Sequence, residues 1–238
     1  MAEPARPTLL LDLDGTLIDS APDLAAALNR LMAERGLAPF TRAETARMVG
    51  DGVQRLVERA FAARGRVPDA ADVAHYTDDY ARHCACGSRP FPGVARTLRG
   101  LRQAGWRLGV CTNKLEGVAR RLLAAFDLAG LFDAVGGGDS FPVRKPDPAH
   151  VLATLGASGG VRERAVMAGD HRNDVLAAHG AGLACVFAGW GYGTAEMAAE
   201  ADAVAARFAE LPDMAGRLLG LRSGRSPPPG PLRKGRGS

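Results

Sequence analysis

Cysteine is scarce in this 238-residue chain, with four residues, and lysine scarcer still, with three among 30 basic residues. Cys84, Cys86, Cys111 and Cys185 are too few, and too irregularly spaced, for a disulfide framework. The single residue between Cys84 and Cys86 is not the two-residue gap of zinc and redox sites. With His75 and His83 nearby, a metal site there is weighed against the plainer reading of small, reduced, apolar thiols. No apolar run is long enough to span a bilayer, and the start MAEPARPTLLLDLDG lacks the long apolar core of a signal peptide. These absences predict a cytoplasmic protein with no membrane partner.

A basic surface is lacking too. The formal net charge is +4, yet Arg222, Arg225, Arg233, Lys234 and Arg236 lie together in residues 222–238, which hold no acid. Residues 1–221 are therefore near neutral. Nucleic acid, which calls for a basic face on the fold itself, is not expected as a partner. The tail is rich in Pro, Gly and Arg, cannot bury an apolar face, and reads as disordered.

What the chain does have is enough hydrophobic residues, 47% of the total, for a substantial core. Five short apolar runs read as strands: Thr8 to Leu13, Arg107 to Cys111, Phe132 to Val135, Ala165 to Ala168 and Ala184 to Phe187. Helical periodicity fills Leu115 to Ala125, Ala149 to Leu155 and Asp174 to His179 between the later ones. This alternation predicts a Rossmann-like α/β core, a parallel sheet with helices on both faces. The first crossover is far too long. Phe91 to Gly105 supplies its helix, and residues 18–88 read as an inserted, all-helical cap. Within the cap, Ser20 can cap a helix that ends at Gly36, and Thr41 to Glu44 has a capping-box pattern. After Gly50-Asp51-Gly52, helices are expected over Val53 to Ala63 and Ala71 to His83. The core is expected to comprise residues 1–17 and 89–221.

Polar residues stand where the apolar runs end. Asp12 and Asp14 follow the first strand, and Thr112 and Asn113 the second. Lys145 lies in the loop after the third, and Asp170 and Asp174 follow the fourth. Each alone could be a cap, a turn or a solvated loop residue. Together they line the carboxyl ends of neighbouring parallel strands, where ligands bind in such sheets. Burying Asp12 beside Asp14 is costly unless a cation offsets the charge. Mg²⁺ suits this set, because it takes a few carboxylates together with phosphate oxygens. Asp12 and Asp170 can supply the carboxylates, and Asp14 its backbone carbonyl. Asp12 is then an ionised nucleophile, Asp14 a general acid/base, and Thr112, Asn113 and Lys145 partners of a phosphoryl group.

The same segments resemble the haloacid dehalogenase superfamily. DLDGT at 12–16, TN at 112–113, Lys145 and GDHRND at 169–174 are similar to its four motifs, and the inserted helices to its small cap. FPGV at 91–94, TNK, GGDS at 137–140, KPDP and GYG at 191–193 further resemble phosphoglycolate phosphatases. The resemblance implies that Asp12 is phosphorylated by substrate, that Asp14 protonates the leaving alkoxide and then activates water, and that Lys145 orients and neutralises. It also implies that Asp170 holds Mg²⁺, with Asp174 supporting the metal directly or through water. His171 departs from the serine usual in this group. The second aspartate argues against a dehalogenase, and a cap without lysine argues against a phosphonate-cleaving relative. A sugar-phosphate phosphatase, a pyrophosphatase and a phosphomutase of the same architecture remain alternatives, with a non-catalytic binding protein beyond them.

The core motifs handle only the phosphoryl group, so selectivity is expected from the cap. Gly50 and Gly52 precede a helix and let backbone amides approach an anion. Arg47 and Arg55 flank them, and either is a candidate donor to a substrate carboxylate. The plainer reading is a turn with two solvated arginines. The expected partner is a small phosphorylated metabolite, and the expected assembly a monomer or homodimer.

Overall fold

A computed structural model describes residues 5–221, so the basic tail read from the sequence lies outside the described residues. The chain opens with β1 (Thr8–Leu11) and passes through a short β2 (Ile18–Asp19) into four helices. These are α1 (Ala21–Glu34), α2 (Arg42–Ala46), α3 (Val53–Ala62) and α4 (Ala70–His83). It returns through β3 (Arg89–Pro90), antiparallel to β2, to α5 (Val94–Gln103) and β4 (Arg107–Cys111). Then come α6 (Glu116–Ala125), β5 (Ala134–Gly136), α7 (Pro148–Ala157) and β6 (Ala165–Gly169). Last are α8 (Arg172–Gly180), β7 (Ala184–Ala188), β8 (Ala203–Ala205) and α9 (Leu211–Leu218). The sheet runs β5-β4-β1-β6-β7-β8, all parallel, with β1 at its centre. The expected α/β core with an inserted helical cap is the architecture observed.

Alternation along β1 explains the layering. Leu9 and Leu11 join Leu98 and Leu101 of α5, Leu122 of α6 and Leu211 of α9 on one face. Leu10 joins Val151 and Leu155 of α7 and Val175 of α8 on the other. Side chains of a strand point to opposite faces in turn, so a strand covered on both sides must be apolar throughout. Each fully buried leucine contributes about 2 kcal/mol from burial. The cap shares the first of these clusters, through Leu24, Leu28, Leu31, Leu56, Tyr76 and Tyr80.

Several details differ from the sequence expectation; the strand expected from Phe132 begins at Ala134 and ends at Gly136. The first strand stops at Leu11, because Leu13 enters a turn whose carbonyl accepts the N–H groups of Leu17 and Ile18, both at 2.9 Å. Ser20 does stand at the start of α1, but its hydroxyl makes no helix cap. It donates instead to Asp14 Oδ1 at 2.5 Å. The capping box at Thr41 and Glu44 forms as expected. Among the described residues, no helix is long and apolar enough to cross a membrane.

Asp23 ties the cap's entry to its exit. This buried carboxylate in the first turn of α1 accepts Gly87 N at 2.7 Å, Ser88 N at 2.8 Å and the Ser88 hydroxyl at 2.7 Å. Asp23→Ala leaves these donors without partners and is expected to cost on the order of 3 kcal/mol. Urea denaturation followed by circular dichroism measures it.

His150, in the first turn of α7, is buried and accepts Lys145 N through Nδ1 at 3.2 Å. Burial, then the Lys145 charge, lowers its pKa from 6.5 to about 4. The folded protein therefore keeps His150 neutral where the unfolded chain binds a proton. Its contribution to stability is full above pH 6.5 and is lost as pH falls from 6.5 towards 4. Between pH 6.5 and 5 the expected loss is about 2 kcal/mol. His150→Gln should flatten that part of the stability–pH curve, as denaturant titrations at each pH would measure.

Candidate active site

The turn after β1 places the first two aspartates. Asp12 N donates to Ala168 O at 2.9 Å, which extends the β1–β6 pairing by one residue and holds Asp12 at the sheet's carboxyl edge. Gly15 then takes φ +80°. A Cβ on it would fall 2.1 Å from Asp170 Oδ2, so only glycine permits the turn and its approach to Asp170. Asp170 itself is held from both sides, by the Thr16 hydroxyl on Oδ1 at 3.0 Å and Tyr192 N on Oδ2 at 2.7 Å.

Lys145 reaches into this edge with a side chain 2 % exposed. Its Nζ donates to Cys111 O at 2.6 Å and to Asp174 Oδ1 at 2.5 Å. Asp12 Oδ1 lies 3.0 Å away, a charge contact without hydrogen-bond alignment. The other Asp174 oxygen accepts His171 N at 3.0 Å. Burial opposes the Lys145 charge, but Asp12 and Asp174 outweigh it and raise its pKa. Burial likewise raises the pKa of Asp12, aided by Asp174 and opposed by Lys145. Asp170 is raised well above the carboxylate range by burial and then by Asp12 and Asp174.

Asp12, Asp170 and Asp174 each offer an oxygen within 4.8 Å of the others. One lysine does not neutralise three such carboxylates, and Asp12 Oδ1 is buried without a hydrogen-bond partner. An all-oxygen donor set of this kind fits Mg²⁺. Among the described residues it is the cluster of potential metal ligands that forms; Cys84 and Cys86 with His75 and His83 do not make one.

Asp14 faces away from this cluster. Both its oxygens take Lys114 Nζ, at 2.9 and 2.8 Å, and Oδ1 also takes the Ser20 hydroxyl. The buried Thr112 hydroxyl oxygen accepts Lys114 N at 3.3 Å, which leaves its proton for a ligand. The side-chain amide of Asn113 donates to Gly50 O and Lys145 O, both at 2.9 Å, and so ties the cap loop to the lysine loop.

A cavity of about 60 Å³ lies between this edge and the cap. Asp12, Asp14, Thr112 and Lys114 line it from the core, and Gly50, Gly52, Leu56 and Tyr80 are among its cap residues. Arg47 and Arg55 do not line it, which corrects the expected donor to a substrate carboxylate. Arg47 is exposed, and Arg55 is exposed and pairs with Glu58 one turn along α3. Lys114 is the cation that the sequence reading passed over. Its signal was present, as one of three lysines and the residue directly after Thr112-Asn113.

His171 gains a physical account. Its Nδ1 accepts Asn173 N at 3.3 Å and, with Asp174, forms a capping box on α8. It thus fills a capping role open to serine. Its ring also reaches the cap: a Cβ on Gly50 would meet His171 Cδ2 at 2.6 Å. Asn173 completes the contact by donating to Asp51 Oδ1 at 2.6 Å.

Comparison with known proteins agrees with this geometry. A phosphoglycolate phosphatase of Cereibacter sphaeroides is 42% identical over 218 residues, covering 90% of this chain and 99% of the relative. Another, from Caulobacter vibrioides, is 46% identical over 78% of this chain and 80% of its own. The crystal structure of a predicted phosphoglycolate phosphatase from Haemophilus somnus superposes with a TM-score of 0.81 at 29% identity, covering 88% of this chain and 97% of that one. CbbY from Rhodobacter sphaeroides, solved in complex with phosphate, superposes at 0.75 with 28% identity, over 87% and 96% of the two chains. The model of the haloacid dehalogenase-like hydrolases matches residues 9–188, and the chain belongs to that family.

Proposed function

We propose that the protein is a phosphatase that hydrolyses a small phosphomonoester, 2-phosphoglycolate, to glycolate and phosphate. The observation that carries this reading is the meeting of Asp12, Asp14 and Thr112 on one small cavity closed by the cap, with Lys145 and Asp170 beneath. Its volume, about 60 Å³, compares with the roughly 10–15 Å³ that one water requires. The relatives over 90% of the chain that carry the name phosphoglycolate phosphatase support the same substrate.

In this mechanism Asp12 attacks phosphorus and forms an aspartyl-phosphate as the ester bond breaks. Asp14 gives its proton to the departing alkoxide, and then takes one from the water that hydrolyses the acyl phosphate. The Thr112 hydroxyl donates to a phosphoryl oxygen, and Lys145 holds positive charge beside Asp12 throughout. Asp12, Asp170 and the Asp14 carbonyl would hold Mg²⁺, with Asp174 in support. When bound, the ion offsets the carboxylates' charge and that gathering on the phosphoryl oxygens. The docked cap keeps bulk water from the phosphorylated aspartate until the product leaves.

CbbY from Rhodobacter sphaeroides has also been solved in complex with xylulose-1,5-bisphosphate, which motivates sugar phosphates as the competing substrates. A panel of phosphorylated metabolites assayed for released phosphate decides between them. Phosphoglycolate should lead the panel, and a sugar phosphate in first place would overturn the substrate assignment.

Asp12→Asn should abolish turnover, and Asp14→Asn should lower it by about 10²–10⁴. Chelation of divalent ions should abolish turnover and added Mg²⁺ restore it. Phosphate release is the readout in each case, and persistent turnover by Asp12→Asn would exclude the aspartyl-phosphate.

A further inference from the structure

Lys114 has no part in the phosphoryl chemistry described above, yet it is the basic side chain on the cavity wall. Its side chain is 5 % exposed. The Nζ sits 2.8 Å from Asp14 Oδ2 and 4.5 Å from the centre of the Tyr80 ring. An ammonium group carries three donors, and Asp14 presents two oxygens to it. A second feature of the same wall is unexplained by packing. Tyr80 is 4 % exposed, and its buried hydroxyl has Ser20 beside it but no well-aligned hydrogen-bond partner among the described residues. A buried hydroxyl in that state is costly unless a ligand completes it. Burial also raises the Tyr80 pKa well above 10, so the group remains a donor at neutral pH.

We infer that Lys114, with the Tyr80 hydroxyl as second donor, receives the carboxylate of the substrate and so selects a 2-phosphocarboxylate. The inference rests on the phosphoglycolate reading and adds the residues that would enforce it. Chemistry sets the required distance. In 2-phosphoglycolate a single carbon separates the carboxylate from the ester oxygen. A cation that binds this carboxylate must therefore lie within a few ångström of the acid that protonates the ester oxygen. Lys114 meets that condition through its contact with Asp14. Arg47 and Arg55, off the cavity, do not. The cavity is also lined by the apolar side chains of Leu56 and Val118, which offer no partner to a second anionic group on a longer substrate.

The test compares 2-phosphoglycolate with ethyl phosphate, which has the same two carbons and no carboxylate. Wild type should prefer phosphoglycolate in kcat/KM. Lys114→Met should lower that preference by about 10- to 100-fold, the range of a charged hydrogen bond, and mainly through KM. Lys114→Arg keeps the charge and should retain most of the preference, and Tyr80→Phe should lose a smaller part of it. Equal losses on both substrates in Lys114→Met would mean that Lys114 serves Asp14 alone, and would overturn the inference. An absence of preference in wild type would instead remove the substrate reading beneath it. Thermal melting of each variant separates these results from misfolding, and the Arg and Phe variants keep the question open to test if Met does not fold.

Discussion

The structure turns on an electrostatic excess at the end of the central strand. Three buried carboxylates, Asp12, Asp170 and Asp174, cluster beside one lysine, Lys145, which pairs with Asp12 and Asp174. Carboxylates so close cannot all be ionised in a dry site without further positive charge. The raised pKa directions of Asp12 and Asp170 express that conflict. The surroundings restrict how it can relax. Thr16 and Tyr192 hold both oxygens of Asp170, while His171 N and Lys145 hold both of Asp174. Asp12 Oδ1, by contrast, is buried without a hydrogen-bond partner and faces Lys145 Nζ at 3.0 Å.

The loops that restrain these carboxylates also bind the cap. Tyr192 donates its N–H to Asp170, and its hydroxyl accepts the N–H groups of Ser20 and Ala21 and donates to Asp19. Asp19 in turn pairs with Arg42 of α2. On the opposite side Asn113 joins Gly50 to the Lys145 loop, and Asn173 joins Asp51 to α8. The cap is therefore fastened through residues that already position the charged cluster. Displacement of the cap and rearrangement of that cluster draw on some of the same hydrogen bonds.

Much of the fold was legible because its causes are local. The leucines of β1 announce a strand covered on both faces, and the long first crossover announces an insertion. The strand Ala203–Ala205 was not legible: three residues, two of them alanine, carry no periodicity to read. The strand-end aspartates and Lys145 could be named because, although each alone reads as a cap, turn or loop residue, together they mark the carboxyl ends of neighbouring parallel strands. Residue type alone misled elsewhere. Ser20 has the form of a helix cap but serves Asp14, and Asn113 has the form of an anion donor but spends both side-chain N–H groups on carbonyls. Those choices depend on partners between 6 and 63 residues away, and spacing along the chain does not encode them.

The cap shows the same limit in its charges. Arg47 and Arg55 flank a glycine-rich loop, so proximity in sequence nominates them as ligands. On α3, however, Leu56 and Val57 must face the core, and the helical period turns Arg55 to solvent, where it meets Glu58. The position of a charge on an amphipathic helix is fixed by its apolar neighbours before any ligand is considered. Lys114 escapes that constraint because it lies between the end of β4 and the start of α6, with no helical face to satisfy. It can turn its ammonium inward, where Asp14 offsets the charge and the Tyr80 ring covers it. A buried cation on a strand-end loop is thus the arrangement by which the core can supply a selectivity charge while the cap contributes shape.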